Sequence, residues 1–157
     1  MSSIPFYPRR SVDQVEEGCE LAPKFGADGL VPCVTTDVTS HEVLMLGWMN
    51  AEALRLTLET GEAHYFSRSR QEMWRKGTTS GLVQKVVEAR IDDDQDAIWL
   101  RVDIGGTAAS CHVGYRSCFY RAIPTAEHAG DPLIFMENVK AFDPVATYGD
   151  APNPTQL

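Results

Sequence analysis

No stretch of this 157-residue chain approaches the roughly 20 apolar residues that a membrane-spanning helix needs. The opening MSSIPFYPRRSVDQ also lacks the hydrophobic run of a secretory signal, so a cytoplasmic setting is the expectation. Basic residues are in deficit: 14 Lys and Arg against 22 Asp and Glu leave a formal charge of −8. A nucleic-acid face needs the opposite excess, so the balance argues against that class of partner, whereas a small anionic substrate needs only a local basic cluster. Cysteine is sparse, at Cys19, Cys33, Cys111 and Cys118. In a reducing compartment such thiols point to metal or catalytic roles rather than crosslinks. Internal repeats are absent too, and the length suits one domain with a proper core.

What is present reads as a β-dominated α+β domain with one main helix. Residues 1–28 form an arm and a short helix, SVDQVEEG, with Ser11 as N-cap, Gln14 at the capping-box position and Gly18 as the stop. Residues 29–123 carry the main domain. Gly29 to Val38 and Glu42 to Met49 are strand-like and joined by TSH, which predicts a hairpin. NAEALRLTLETG is the clearest helix, capped by Asn50 and ended by Gly61. HYFSRS, LVQKVVEARID and DAIWLRVDI are further strands, and HVGYRSCFYRAI a short strand or strand–loop. Residues 124–157 read as a partly irregular C-terminal extension with few core residues.

Three clusters carry chemistry. RIDDDQDAIWLRV places four aspartates in five positions. If the stretch is extended, Asp92, Asp94 and Asp96 share one face and Asp93 looks to the other. Three carboxylates on one face favour a hard cation such as Mg²⁺; a solvated acidic turn is the plain alternative. SCHVGYRSCFYR holds Cys111, His112 and Cys118, soft donors suited to Zn²⁺, although small buried cysteines are also common. HYFSRSRQEMWRKGTTSG gathers Arg68, Arg70, Arg75 and Lys76 before a Gly/Thr/Ser loop that fits phosphate, or else a charged edge strand that resists aggregation. Together the three suggest metal-assisted hydrolysis of a phosphorylated substrate.

EVLMLGWMNAEAL, GEAHYFSRSRQEMWRKGTTSG, VQKV, DxDxDA and CHVGYRSCFYR occur in an order that resembles the phosphoribosyl-AMP cyclohydrolases of histidine biosynthesis, from about Gly29 to Arg121. The resemblance implies a pseudo-barrel fold in an intertwined homodimer with active sites at the interface. It implies Mg²⁺ on Asp92, Asp94 and Asp96. It further implies a second divalent metal, zinc in the family, held by Cys111 and Cys118 of one subunit and position 93 of the other. Substrate contacts fall to Arg68, Arg70, Trp74, Arg75, Lys76, Thr79 and Ser80, and proton transfer to His112.

The chain departs from that pattern at position 93, where the family has cysteine and this sequence has Asp93. A Cys₂Asp set still takes Zn²⁺ but tolerates Fe²⁺ or Mn²⁺ better than three thiolates do. Tyr115 stands where the family often has a basic residue. Cys19, Cys33 and the tail match none of the motifs. Two other readings stay open: a paralogue acting on a related purine nucleotide, and a non-catalytic metal-binding protein on the same scaffold.

Overall fold

A computed structural model describes residues 4–77, 81, 83–105 and 109–157, so Thr79 and Ser80 lie outside the described residues. Helix α1 (Val12–Glu17) starts where the Ser11 hydroxyl accepts from the Gln14 amide. The Gln14 side chain reaches back to the N–H of Arg10, one residue earlier than a strict capping box. Strands β1 (Val31–Asp37) and β2 (Val43–Met49) form the expected antiparallel hairpin. Helix α2 (Ala51–Thr60) begins at Asn50, whose side chain accepts from Ala53 N, and ends at Gly61. At φ 70° Gly61 is left-handed and sends its N–H to Thr57 O, so a residue without Cβ fits best.

Strands β3 (His64–Ser67) and β4 (Glu72–Arg75) make a second hairpin, of which only β3 was expected. Strands β5 (Lys85–Ile91) and β6 (Ile98–Asp103) complete the main sheet in the order β2-β1-β6-β5, with β1 and β6 parallel. The acidic run is therefore not extended. Residues 93–95 form the turn between β5 and β6, because the chain must reverse there to pair the two strands antiparallel. HVGYRSCFYRAI is mostly turn and bend, and only Arg121–Ala122 pair as β7, with β8 (Ile134–Phe135). A single turn of 3₁₀ helix (Ala126–His128) and α3 (Pro144–Tyr148) follow. No residue beyond Ser117 is buried, so the extension lies over the domain without adding to its core.

That core joins Val31, Leu44, Met49, Leu54, Tyr65, Leu100 and Val102. Tyr65 is also a polar junction. Its hydroxyl shares a 2.7 Å hydrogen bond with Thr35 Oγ1 and donates to Gln84 Oε1 at 2.7 Å. Gly47 on β2 exists to let this ring in: a Cβ there would stand 2.6 Å from Tyr65 Cδ1. With its hydroxyl bound at two places the ring has nowhere to go, so Gly47→Ala should destabilise the fold by about 1–3 kcal/mol. Urea denaturation should show this as a lower midpoint at an unchanged slope.

Candidate active site

The β5–β6 turn is built around Asp92. Its Oδ1 accepts from the amides of Asp96 (2.9 Å) and Ala97 (3.1 Å), while Asp92 N–H donates to Ala97 O. Closing the turn this way brings carboxylate oxygens of Asp92, Asp94 and Asp96 within 4.8 Å of one another. Asp93, exposed at the turn, is not in that group. The three-plus-one division thus holds, but a turn makes it, not strand alternation. Crowding has the expected consequence: hydrogen bonds to the carboxyls of Asp92 and Asp94 raise the pKa of Asp96, since like charges this near do not all ionise freely. The donor set is all oxygen, and oxygens on one octahedral Mg²⁺ sit about 3–4 Å apart, so small side-chain adjustments fit it to the ion.

The cysteine loop lies toward the other end of β6. Cys118 N donates to Leu44 O at 2.7 Å, beside Val43, which pairs with Thr36, which in turn pairs with Arg101. Six residues of β6 span about 20 Å at roughly 3.3 Å each. The loop is closed by Ser110 N to Arg116 O and Cys111 N to Tyr115 O. All four cysteines are free thiols. Cys111 has its pKa lowered to about 6, first by the hydrogen bond from Cys118 and further by the nearby Lys76 charge. Cys118 is raised for the complementary reason, because it donates that bond. One thiolate beside one thiol is a soft donor pair ready for a metal. Among the described residues of this chain no third His, Cys, Asp or Glu donor completes a mutual cluster with them.

His112 follows directly. Burial lowers its pKa, so the imidazole is neutral near pH 7, and Asn153 of the extension hydrogen bonds to it. Its Nε2 is buried without a partner among the described residues. A buried polar atom left unpaired normally marks a place for something else to bind. The extension holds this loop elsewhere too. The carboxylate of Glu137 accepts from the amides of Arg116 (3.2 Å) and Ser117 (3.1 Å), and Gly114 O accepts from Ala141 N at 2.7 Å. Gly114 has φ 107°, and a Cβ there would meet Phe142 O at 2.6 Å. Tyr115 stacks on Tyr120 at 4.1 Å with Lys140 over its ring.

The basic cluster divides. Arg68, Arg70 and Arg75 are exposed on the β3–β4 hairpin. Arg68 lies over the Trp48 ring (4.4 Å), Arg70 pairs with Glu72 and Arg75 with Glu62. Trp74 is half-buried with its ring 5.1 Å from that of Tyr65. Lys76 instead turns inward: it is buried, and its Nζ donates to Ser110 O beside the cysteines. Burial lowers its pKa, and the two cysteine sulfurs push it back up. A chain of buried polar groups links these parts, from Tyr65 to Gln84 and from Gln84 Nε2 to Ser110 Oγ (3.3 Å). Gln84, Gln95, Ser110 and Glu137 were not singled out from the sequence. A carboxamide set between apolar positions, as in LVQKV, was the available signal for Gln84.

Comparison with known proteins places this arrangement. The profile of the family described as Phosphoribosyl-AMP cyclohydrolase matches residues 45–120. A phosphoribosyl-AMP cyclohydrolase of Rhodopseudomonas palustris (strain BisA53) is 56% identical over 136 residues, covering 87% of this chain and 92% of that protein. One from strain BisB18 is 51% identical over 146 residues, 93% of this chain and 99% of its own length. One from Bradyrhizobium diazoefficiens is 56% identical over 135 residues, 86% and 94%. A mixed, strand-rich α+β scaffold with relatives of this kind is a hydrolytic enzyme. The chain belongs to the phosphoribosyl-AMP cyclohydrolase family.

The thiol pair gives a direct test on metal-free protein. Cys111 is depressed from 9.0 to about 6 in the folded state, so its thiolate favours folding above the unfolded value, and that contribution is lost as pH falls through about 6. The opposite shift at Cys118 acts only above its unfolded value. Ultraviolet thiolate absorbance should therefore show about one equivalent titrating near pH 6, with its midpoint moving up toward 9 in Cys118→Ala.

Proposed function

We propose that this chain hydrolyses the N1–C6 bond of the purine ring of 1-(5-phosphoribosyl)-AMP, giving the ring-opened formimino carboxamide intermediate of histidine biosynthesis. The observation that carries the reading is identity of 51–56% to proteins of that name over nine-tenths or more of their length. Water adds its oxygen at C6, the C6–N1 bond breaks, and N1 takes a proton. His112 suits the proton transfer, being neutral with Nε2 unpaired. Arg68, Arg70 and Arg75, with Trp74, Thr79 and Ser80, are the residues for gripping the two phosphoribosyl groups, while Lys76, buried against Ser110 O, serves the cysteine loop instead. The three guanidinium groups are exposed on one hairpin, and such forks can grip phosphate through two parallel hydrogen bonds.

Mg²⁺ is assigned to Asp92, Asp94 and Asp96. A second divalent ion is assigned to Cys111 and Cys118 with Asp93 of the other subunit of a homodimer. Bound there, that ion supplies Lewis-acid activation of water. Two observations support the division between subunits. Asp93 and the cysteine loop lie toward opposite ends of β6, and the two thiols lack a third donor among the described residues. Exposed apolar side chains on the C-terminal region, Phe119, Ile123, Ile134, Phe135 and Met136, offer surface for such a dimer. The pseudo-barrel architecture and a cytoplasmic location belong to the same reading; no helix among the described residues is long and apolar enough to cross a membrane.

A turnover assay on phosphoribosyl-AMP, with metal analysis of the purified protein, tests this. Bound metal without turnover would favour a non-catalytic scaffold, a reading the retained arginine hairpin opposes. Asp93 adds a specific expectation. After chelation, activity should return with Fe²⁺ or Mn²⁺ at least as readily as with Zn²⁺, and Asp93→Cys should raise zinc affinity. Recovery with Zn²⁺ alone would contradict the altered-metal reading.

A further inference from the structure

Gln95 sits between two of the clustered carboxylates and points the other way. It is 5% exposed, in a left-handed backbone conformation at φ 58° that residues other than Gly, Asn and Asp seldom adopt. Its Oε1 accepts from Ala22 N (2.8 Å), and its Nε2 donates to Val15 O (2.9 Å) and Glu20 O (3.2 Å). Its carbonyl accepts from Lys24 N at 2.7 Å. Arg9 adds a second tie, bridging Ala22 O (2.7 Å) and Asp94 O (2.8 Å). The N-terminal segment is thus bound at several points to a turn whose three carboxylates repel one another.

We infer that Gln95 is a positioning residue: its side chain anchors the turn to residues 15–22 and holds Asp92, Asp94 and Asp96 facing one point before a cation arrives. This rests on the magnesium assignment above. The chemistry is selective for a carboxamide. One acceptor meets an N–H and two donors meet carbonyls, a set that neither Glu nor Lys reproduces. Without the anchor, repulsion spreads the carboxylates and the left-handed turn has nothing to maintain it. The anchoring residues Arg9, Val15, Glu20 and Ala22 lie outside residues 45–120, the stretch that the family profile matches.

Calorimetric titration of Mg²⁺ into the 157-residue chain tests this, using wild type, Asp94→Asn, Gln95→Gly and Arg9→Met, with thermal melts of each variant without Mg²⁺. Glycine accepts the left-handed φ, so Gln95→Gly removes the side chain without straining the turn. Loss of an outer partner typically weakens metal binding about 10- to 100-fold, and that is the result expected for Gln95→Gly, with a smaller loss in Arg9→Met. Wild-type Mg²⁺ affinity in a folded Gln95→Gly overturns the proposal, even if the melting temperature falls. Should that variant not fold, unchanged affinity in Arg9→Met overturns it instead. If Asp94→Asn binds Mg²⁺ as wild type does, the magnesium assignment fails and the proposal with it.

Discussion

The buried hydroxyl of Tyr65 holds the parts of this molecule in one frame. It bonds Thr35 in the main sheet and Gln84 just before β5, while its ring belongs to the hairpin that carries the arginines. Gln84 passes the connection to Ser110, the residue before Cys111. Each such bond contributes only about 0.5–1.5 kcal/mol net, but leaving one buried partner unpaired costs about 1–3 kcal/mol. Displacing any one element therefore strands polar groups in the others. Lys76 reinforces the frame from the end of β4, its ammonium buried against Ser110 O. The open space at Gly47 is the steric counterpart that admits the Tyr65 ring.

On this frame the two donor sets are kept apart and differ in kind. Oxygen donors occupy the turn entering β6, and sulfur donors the loop that follows it. Each is held by a terminal segment that adds little or nothing to the main core. The N-terminal segment grips the turn through Gln95 and Arg9, and the C-terminal extension grips the loop through Glu137, Ala141 and Asn153. Carboxylates crowd one another in the first set, and a thiol hydrogen bonds to a thiolate in the second, so both concentrate negative charge that a divalent ion would offset.

Local signals in the chain were legible where local physics decides. Asn50 and Gly61 bound the main helix, Ser11 starts the short one, and two strand-like apolar runs joined by TSH mark the β1–β2 hairpin. Strand β4 escaped notice because EMWR offers four residues with charge at both ends, and only its pairing with β3 makes it a strand. The grouping of Asp92, Asp94 and Asp96 was legible, but its cause was misread: period-two alternation and a tight turn select the same three residues. Burial of Gln84, Gln95 and Lys76 depends on distant partners, which no local pattern encodes. Lys76 in particular reads as one more cation of the arginine run, although the backbone at the end of β4 turns it to the interior.

The central claim is that adjacent residues of one acidic turn serve two different metals, Asp93 across a subunit boundary and its neighbours within the chain. Anomalous diffraction from crystals of the protein loaded with Mn²⁺ and Zn²⁺, recorded at each metal edge, tests it most directly. The account predicts one peak among Asp92, Asp94 and Asp96, and a second between Cys111, Cys118 and Asp93 of the other subunit. A cysteine-bound peak with Asp93 turned to solvent, or a single shared peak on all four aspartates, would contradict it.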